Sequence, residues 1–130
     1  MKNKVLIVDD EISVRLLLEE VLETLEHEAV EILMAKNGSE ALELIQTEKP
    51  KLVFLDVIMP KMSGLEVCNT VKNELRIPNI YIIMLTANGQ EVDKQQGSEV
   101  GADLYMTKPF RAKNVLEICR DVLGLSIANE

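Results

Sequence analysis

Cationic side chains are in short supply in this chain. Lys and Arg number 14 against 22 Asp and Glu, a net charge of −8. Non-specific nucleic-acid binding needs an excess of Lys and Arg, so the balance argues against direct nucleic-acid contact by this domain. It does not exclude a DNA-binding partner domain. Cysteine is scarce too: Cys68 and Cys119 are far apart, with no CxxC pair and no nearby His cluster. They read as two reduced core thiols in a cytosolic protein. The one histidine, His27, sits among Glu23, Glu26 and Glu28 without a metal partner, and reads as a solvated helix-end group. Long apolar runs are missing. The start, MKNKVLIVDDE, offers only Val5–Val8 before its acids, too little for a signal-peptide core or a membrane span. Low-complexity segments, internal repeats and linkers are also absent. What is there is one ordinary domain of 130 residues, 47% hydrophobic, enough for a core without metal or disulfide support.

Leu52-Val53-Phe54-Leu55 is the stretch around which the rest is organised. A continuous apolar run rich in β-formers fits a strand buried on both faces of a parallel sheet. Asp56 ends it, at the edge where open α/β sheets bind ligands. Val5–Val8 is a second such run, ended by Asp9, Asp10 and Glu11. Ala29–Ala35, Ile80–Leu85 (ended by Thr86) and Leu104–Thr107 (before Lys108-Pro109) supply three more strands. Val14, Leu17, Leu18, Val21, Leu22 and Leu25 recur at helical spacing to about residue 26, with Arg15, Glu19, Glu20 and Glu23 on the other side. Ser39 is the expected cap of a second helix, with Leu42 and Ile45 inward. Leu65, Cys68, Val71 and Leu75 mark a third, residues 90–100 a weak fourth, and Val115, Ile118, Cys119, Val122 and Leu123 a fifth. This alternation predicts an α/β fold: a flavodoxin-like, doubly wound, five-stranded parallel sheet in the order 2-1-3-4-5 with five helices.

In that order Asp9, Asp10, Asp56, Thr86 and Lys108 converge on one edge. Three carboxylates so close repel each other, and at least one pKa must rise unless something offsets the charge. Lys108 offsets part of it. A divalent cation would offset the rest, and an all-oxygen ligand set suits Mg²⁺ or Mn²⁺ better than zinc. Such a site is suited to phosphoryl transfer, with Asp56 as nucleophile giving an acyl phosphate and Thr86 donating to a phosphate oxygen. A single Asp at a strand end is usually a turn or cap residue. It is the conjunction across four strand ends that points to chemistry. Met59, Met62, Met84 and Met106 read as adaptable packing.

The segments VLIVDDE, LVFLDVIMPKMSGLE, IIMLTA and GADLYMTKPF together resemble the response-regulator receiver domain of two-component signalling, chemotaxis-regulator-like, over essentially the whole chain. The resemblance implies that Asp56 is phosphorylated by a sensor histidine kinase or a histidine phosphotransfer protein. It implies that Asp9, Asp10 and Asp56 hold Mg²⁺ with the Ile58 backbone carbonyl, that Thr86 and Lys108 contact the phosphoryl group, and that Lys108-Pro109 is cis. Tyr105 would form a switch with Thr86, although a tyrosine on a short edge strand is often only half-buried packing. The implied output surface is about residues 90–123. Ile58 and Asn88 occupy positions that tune hydrolysis in the family; Ile58 cannot orient a water and Asn88 does so only weakly, which implies a long-lived phosphoryl group. Residues 1–124 would be the receiver domain and 125–130 a short tail. The expected protein is cytoplasmic and not an enzyme on a separate substrate, with no membrane contact. It promotes only its own phosphorylation and dephosphorylation, with homodimerisation and a downstream effector domain or protein as further readings. A single-domain regulator and the receiver half of a longer protein both fit. Two alternatives compete. A Mg-dependent phosphatase with an Asp nucleophile needs a second acid two residues on, where Ile58 stands, and no cap insertion is visible. An FMN carrier needs a Ser/Thr/Gly-rich loop after the first strand, where this chain has Asp-Asp-Glu.

Overall fold

The computed structural model describes residues 3–25, 30–87 and 100–125. Five parallel strands form one sheet: β1 (Asn3–Val8), β2 (Val30–Ala35), β3 (Leu52–Asp56), β4 (Tyr81–Ala87) and β5 (Leu104–Lys108), in the order β2-β1-β3-β4-β5. The order is the expected one. Among the described residues four α-helices flank it: α1 (Ile12–Glu23), α2 (Gly38–Glu48), α3 (Gly64–Asn69) and α4 (Ala112–Leu123). The expected weak helix at 90–100 falls largely on 88–99, outside the described residues, as do His27 and Asn88. Among the described residues no helix is long and apolar enough to cross a membrane.

The solid apolar runs work because alternate side chains serve two different cores. Leu6, Val8, Val53, Leu55, Ile82 and Met84 pack with Ala41 and Ile45 of α2 and Val67 and Cys68 of α3. Val5, Ile7, Leu52, Phe54, Ile83 and Leu85 pack with Leu18 and Leu22 of α1 and Val115, Cys119 and Leu123 of α4. Every residue of β3 is buried. A strand covered on both faces has no polar side to present, so it reads as an unbroken run rather than an alternation. Burial of a leucine such as Leu18 or Leu22, both with no exposed surface, contributes roughly 1.5–3 kcal/mol relative to leaving it exposed.

Several boundaries differ from the sequence reading. α2 is capped by Asn37, not Ser39: Asn37 is extended (φ −155°) and its side chain accepts from the Glu40 N–H at 2.8 Å. Ser39 is already inside the helix. α1 ends at Glu23, short of residue 26. Leu17 is 49% exposed rather than inward, because Leu18 and Leu22 already fill the stripe facing the sheet. β4 and β5 each run further than expected, so Thr86 and Lys108 are strand residues. α3 is capped by Ser63, which accepts from Glu66 N–H, and passes into a π-helical turn, Thr70–Glu74. That turn holds Lys72 where its ammonium reaches the Ile80 carbonyl (2.6 Å) and Asp103 (2.8 Å). Asp103 also accepts from the Ile82 N–H at 2.8 Å, so the entries to β4 and β5 are tied together.

Candidate functional site

β1 delivers Asp9 as it ends. The Asp9 N–H continues the ladder to the Ala35 carbonyl (3.2 Å), and Oδ1 accepts from the Glu11 N–H (2.9 Å), turning the chain into α1. Asp9 is fully buried, which is tolerable for a carboxylate only when its oxygens are engaged. They are: Oδ2 receives the Lys108 ammonium at 2.9 Å, and the Asp9 carbonyl receives Arg15 Nη1 at 2.6 Å. Asp10, the next residue, is exposed.

β3 delivers Asp56, 6% exposed, beside Asp9. Lys108 Nζ lies 3.3 Å from Asp56 Oδ1, so one ammonium bridges two carboxylates. β4 pairs Leu85 with Asp56 and places buried Thr86 one residue beyond. β5 carries Lys108 at its end, followed by a cis Lys108-Pro109 peptide. Tyr105 is half-buried against the core on the α2 and α3 side. Ile58 is 59% exposed. Of the site residues named from sequence, Asp9, Asp10, Asp56 and Lys108 meet at one edge, with Thr86 near the end of the neighbouring strand.

The charge pattern has a direct consequence. Burial pushes the Asp56 carboxyl up, the Asp9 charge adds to it, and Lys108 and a backbone hydrogen bond from Ile58 only partly oppose them, leaving Asp56 at about 7. Burial pulls Lys108 down, but its hydrogen bond to Asp9 and the charges of Asp56 and Asp9 prevail and raise it. Asp9, Asp10 and Asp56 each offer a carboxylate oxygen, all within 4.8 Å of one another. That convergence, all oxygen and with one ligand open to water, fits a small hard cation such as Mg²⁺ or Mn²⁺.

Two residues escaped the sequence reading. Gly64 closes the turn after β3 with its N–H on the Val57 carbonyl (2.8 Å). A Cβ there would overlap the Asp56 carbonyl oxygen and come within 2.9 Å of its carbon. The quoted motif contained this glycine, but only the backbone approach explains it. The helical spacing puts Arg15 on the solvent side of α1, whereas its guanidinium turns back onto the Asp9 carbonyl. Its position in the first turn, six residues after Asp9, was the available signal.

Residues 5–120 match the family model for the response regulator receiver domain. Over 116 residues (88% of this chain, 46% of the relative) the chain is 46% identical to the alkaline phosphatase synthesis transcriptional regulatory protein PhoP of Bacillus subtilis. It is 47% identical over 122 residues (94% of this chain, 48% of the relative) to the protein of Cyanophora paradoxa named "Probable transcriptional regulator ycf27". The chain thus spans about half the length of these curated relatives. Among solved structures, the chemotaxis protein CheY4 of Vibrio cholerae is similar at 33% identity and a TM-score of 0.81, covering 94% of this chain and 99% of that one. The family match covers both the acidic turn after β1 and the lysine that ends β5, and with it this chain belongs to the response regulator receiver domain family.

Proposed function

We propose that Asp56 accepts a phosphoryl group from a phosphohistidine of a sensor histidine kinase or a histidine phosphotransfer protein, and that the chain then switches a partner-binding surface at about residues 90–123. The observation that carries this reading is the Lys108 ammonium shared by Asp56 and Asp9 at the carboxyl edge. A carboxylate oxygen of Asp56 attacks phosphorus as the histidine N–P bond breaks, and the imidazole leaves with a proton. Asp56 must be ionised to attack, and Lys108 favours that form. Lys108 also stays beside the new acyl phosphate and neutralises part of its charge. Thr86 donates its hydroxyl to a phosphoryl oxygen, and Tyr105 responds through β5. A Mg²⁺ or Mn²⁺ held by Asp9, Asp10, Asp56 and the Ile58 carbonyl would supply the remaining neutralisation of the transferring oxygens.

The same reading makes the chain a switch without a separate substrate. The phosphatase alternative lacks its second acid, since exposed Ile58 stands at that position. Residues 1–124 form the receiver domain of a cytoplasmic protein. Relatives named as transcriptional regulators support output through an effector domain or protein, with homodimerisation on phosphorylation as a further step. Incubation with acetyl phosphate and Mg²⁺ tests the reading. The expected result is a mass gain of one phosphoryl group, absent in Asp56→Asn and with EDTA. No gain in the wild type, or the same gain in Asp56→Asn, overturns it.

A further inference from the structure

Lys108 is not the only cation working on the acidic turn. Arg15 projects from the first turn of α1 and places Nη1 2.6 Å from the Asp9 backbone carbonyl. Asp9 is thereby held at four points: its N–H on Ala35, Oδ1 on Glu11, Oδ2 on Lys108 and its carbonyl on Arg15. The carbonyl bond differs from the others in what it fixes. It lies on the peptide joining Asp9 to Asp10, so it sets the plane from which the exposed Asp10 carboxylate departs. Removing Arg15 takes away this bond and with it the restraint on the Asp9–Asp10 peptide plane.

We propose that Arg15 is a positioning residue for divalent-cation binding, acting through the Asp9–Asp10 peptide. This rests on the reading of Asp9, Asp10 and Asp56 as the cation site. Two effects of the guanidinium oppose each other. Its charge repels a dication nearby, whereas its hydrogen bond preorganises two of the three carboxylates that bind it. The charge sits on a partly exposed side chain, where solvent screens it. Loss of an orienting outer-shell bond typically weakens metal affinity 10- to 100-fold. Preorganisation therefore outweighs repulsion, and the sign of the effect is diagnostic.

The test is calorimetric titration of Mg²⁺ into the full chain, for wild type, Arg15→Met and Arg15→Lys. Arg15→Met keeps the aliphatic stem and removes every donor; Arg15→Lys retains one. Binding about 10-fold weaker in Arg15→Met, partly restored in Arg15→Lys, is expected, the low end of the outer-shell range because relief of charge repulsion offsets part of the loss. Saturating Mg²⁺ should then return phosphoryl uptake from acetyl phosphate to the wild-type rate, which a loss of fold would not allow. If Arg15→Met does not fold, by circular dichroism, Arg15→Gln is read in its place. Unchanged or tighter Mg²⁺ binding in the donor-free variant overturns the proposal. A wild type that binds no Mg²⁺ sinks the cation-site reading itself, so the two failures are distinguishable.

Discussion

Lys108 and Asp9 are 99 residues apart in sequence and 2.9 Å apart in space. Asp9 follows β1 and Lys108 ends β5, strands that are not neighbours, since β3 and β4 lie between them. The Lys108 side chain therefore spans from the end of β5 to the turn after β1, touching Asp56 on the way. Removing it strands a fully buried carboxylate. Lys108→Met should destabilise the protein by about 1–3 kcal/mol at neutral pH, below the loss for a wholly enclosed pair because the lysine is 20% exposed. Urea denaturation reads the loss; an unchanged midpoint would show that the pair carries no stability.

Asp56 gives the protein an unusual pH response. Its folded-state pKa of about 7 lies above the ordinary 3.8, so the folded state prefers the protonated form. The stability it contributes is complete below about pH 4 and is lost as pH rises through 7. In EDTA, the unfolding midpoint should fall between about pH 4 and 7 and level off above. Asp56→Asn should remove that fall and be more stable than wild type at pH 8 by on the order of 1–3 kcal/mol. Mg²⁺ should reverse the fall in the wild type by favouring the carboxylate. A midpoint that is flat over this window in EDTA contradicts the argument.

Gly64→Ala sets a methyl group against backbone, not against a side chain that can swing away. The turn after β3 must open to admit it, at a cost of about 1–3 kcal/mol or more. Opening the turn also displaces the Asp56 carbonyl, so Mg²⁺ affinity should drop in parallel. Thermal melts with and without Mg²⁺ check both. A variant as stable as the wild type would mean the turn relaxes freely.

Ile58 bears on phosphoryl lifetime. Its apolar side chain is exposed beside the site and can orient no water toward an acyl phosphate. The phosphorylated form should last minutes or longer. Ile58→Asn, which adds a hydrogen-bonding amide, should shorten that lifetime about 3- to 10-fold. Decay of the phosphorylated mass after removal of acetyl phosphate gives the answer, and wild-type loss within seconds contradicts it.

The strands and the site's acids were legible because burial on both faces leaves unbroken apolar runs, and because a charge ending such a run marks the sheet edge. Asp56 after Leu55 and Asp9 after Val8 are both of this kind. Helix details were less legible. Leu17 and Leu18 are the same residue type, and only the sheet decides which is covered. Asn37 and Ser39 are both good caps, and the extended backbone at Asn37 decides between them. Arg15 was missed because its acceptor is a backbone carbonyl, which no side-chain pattern records. The π-helical turn at Thr70–Glu74 has no signature in hydrophobic spacing either; it serves the Lys72–Asp103 pair.

The sheet also partitions the protein's sulfur chemistry. Cys68 lies in the layer under α2 and α3, and Cys119 in the layer under α1 and α4. Burial pushes both thiols up, to about 11 and about 12, so neither reacts until its own layer loosens. The molecule thus carries one natural stopwatch per compartment. Comparing how fast an alkylating reagent captures each sulfur, before and after phosphoryl loading, would say on which side of the sheet the activated state breathes.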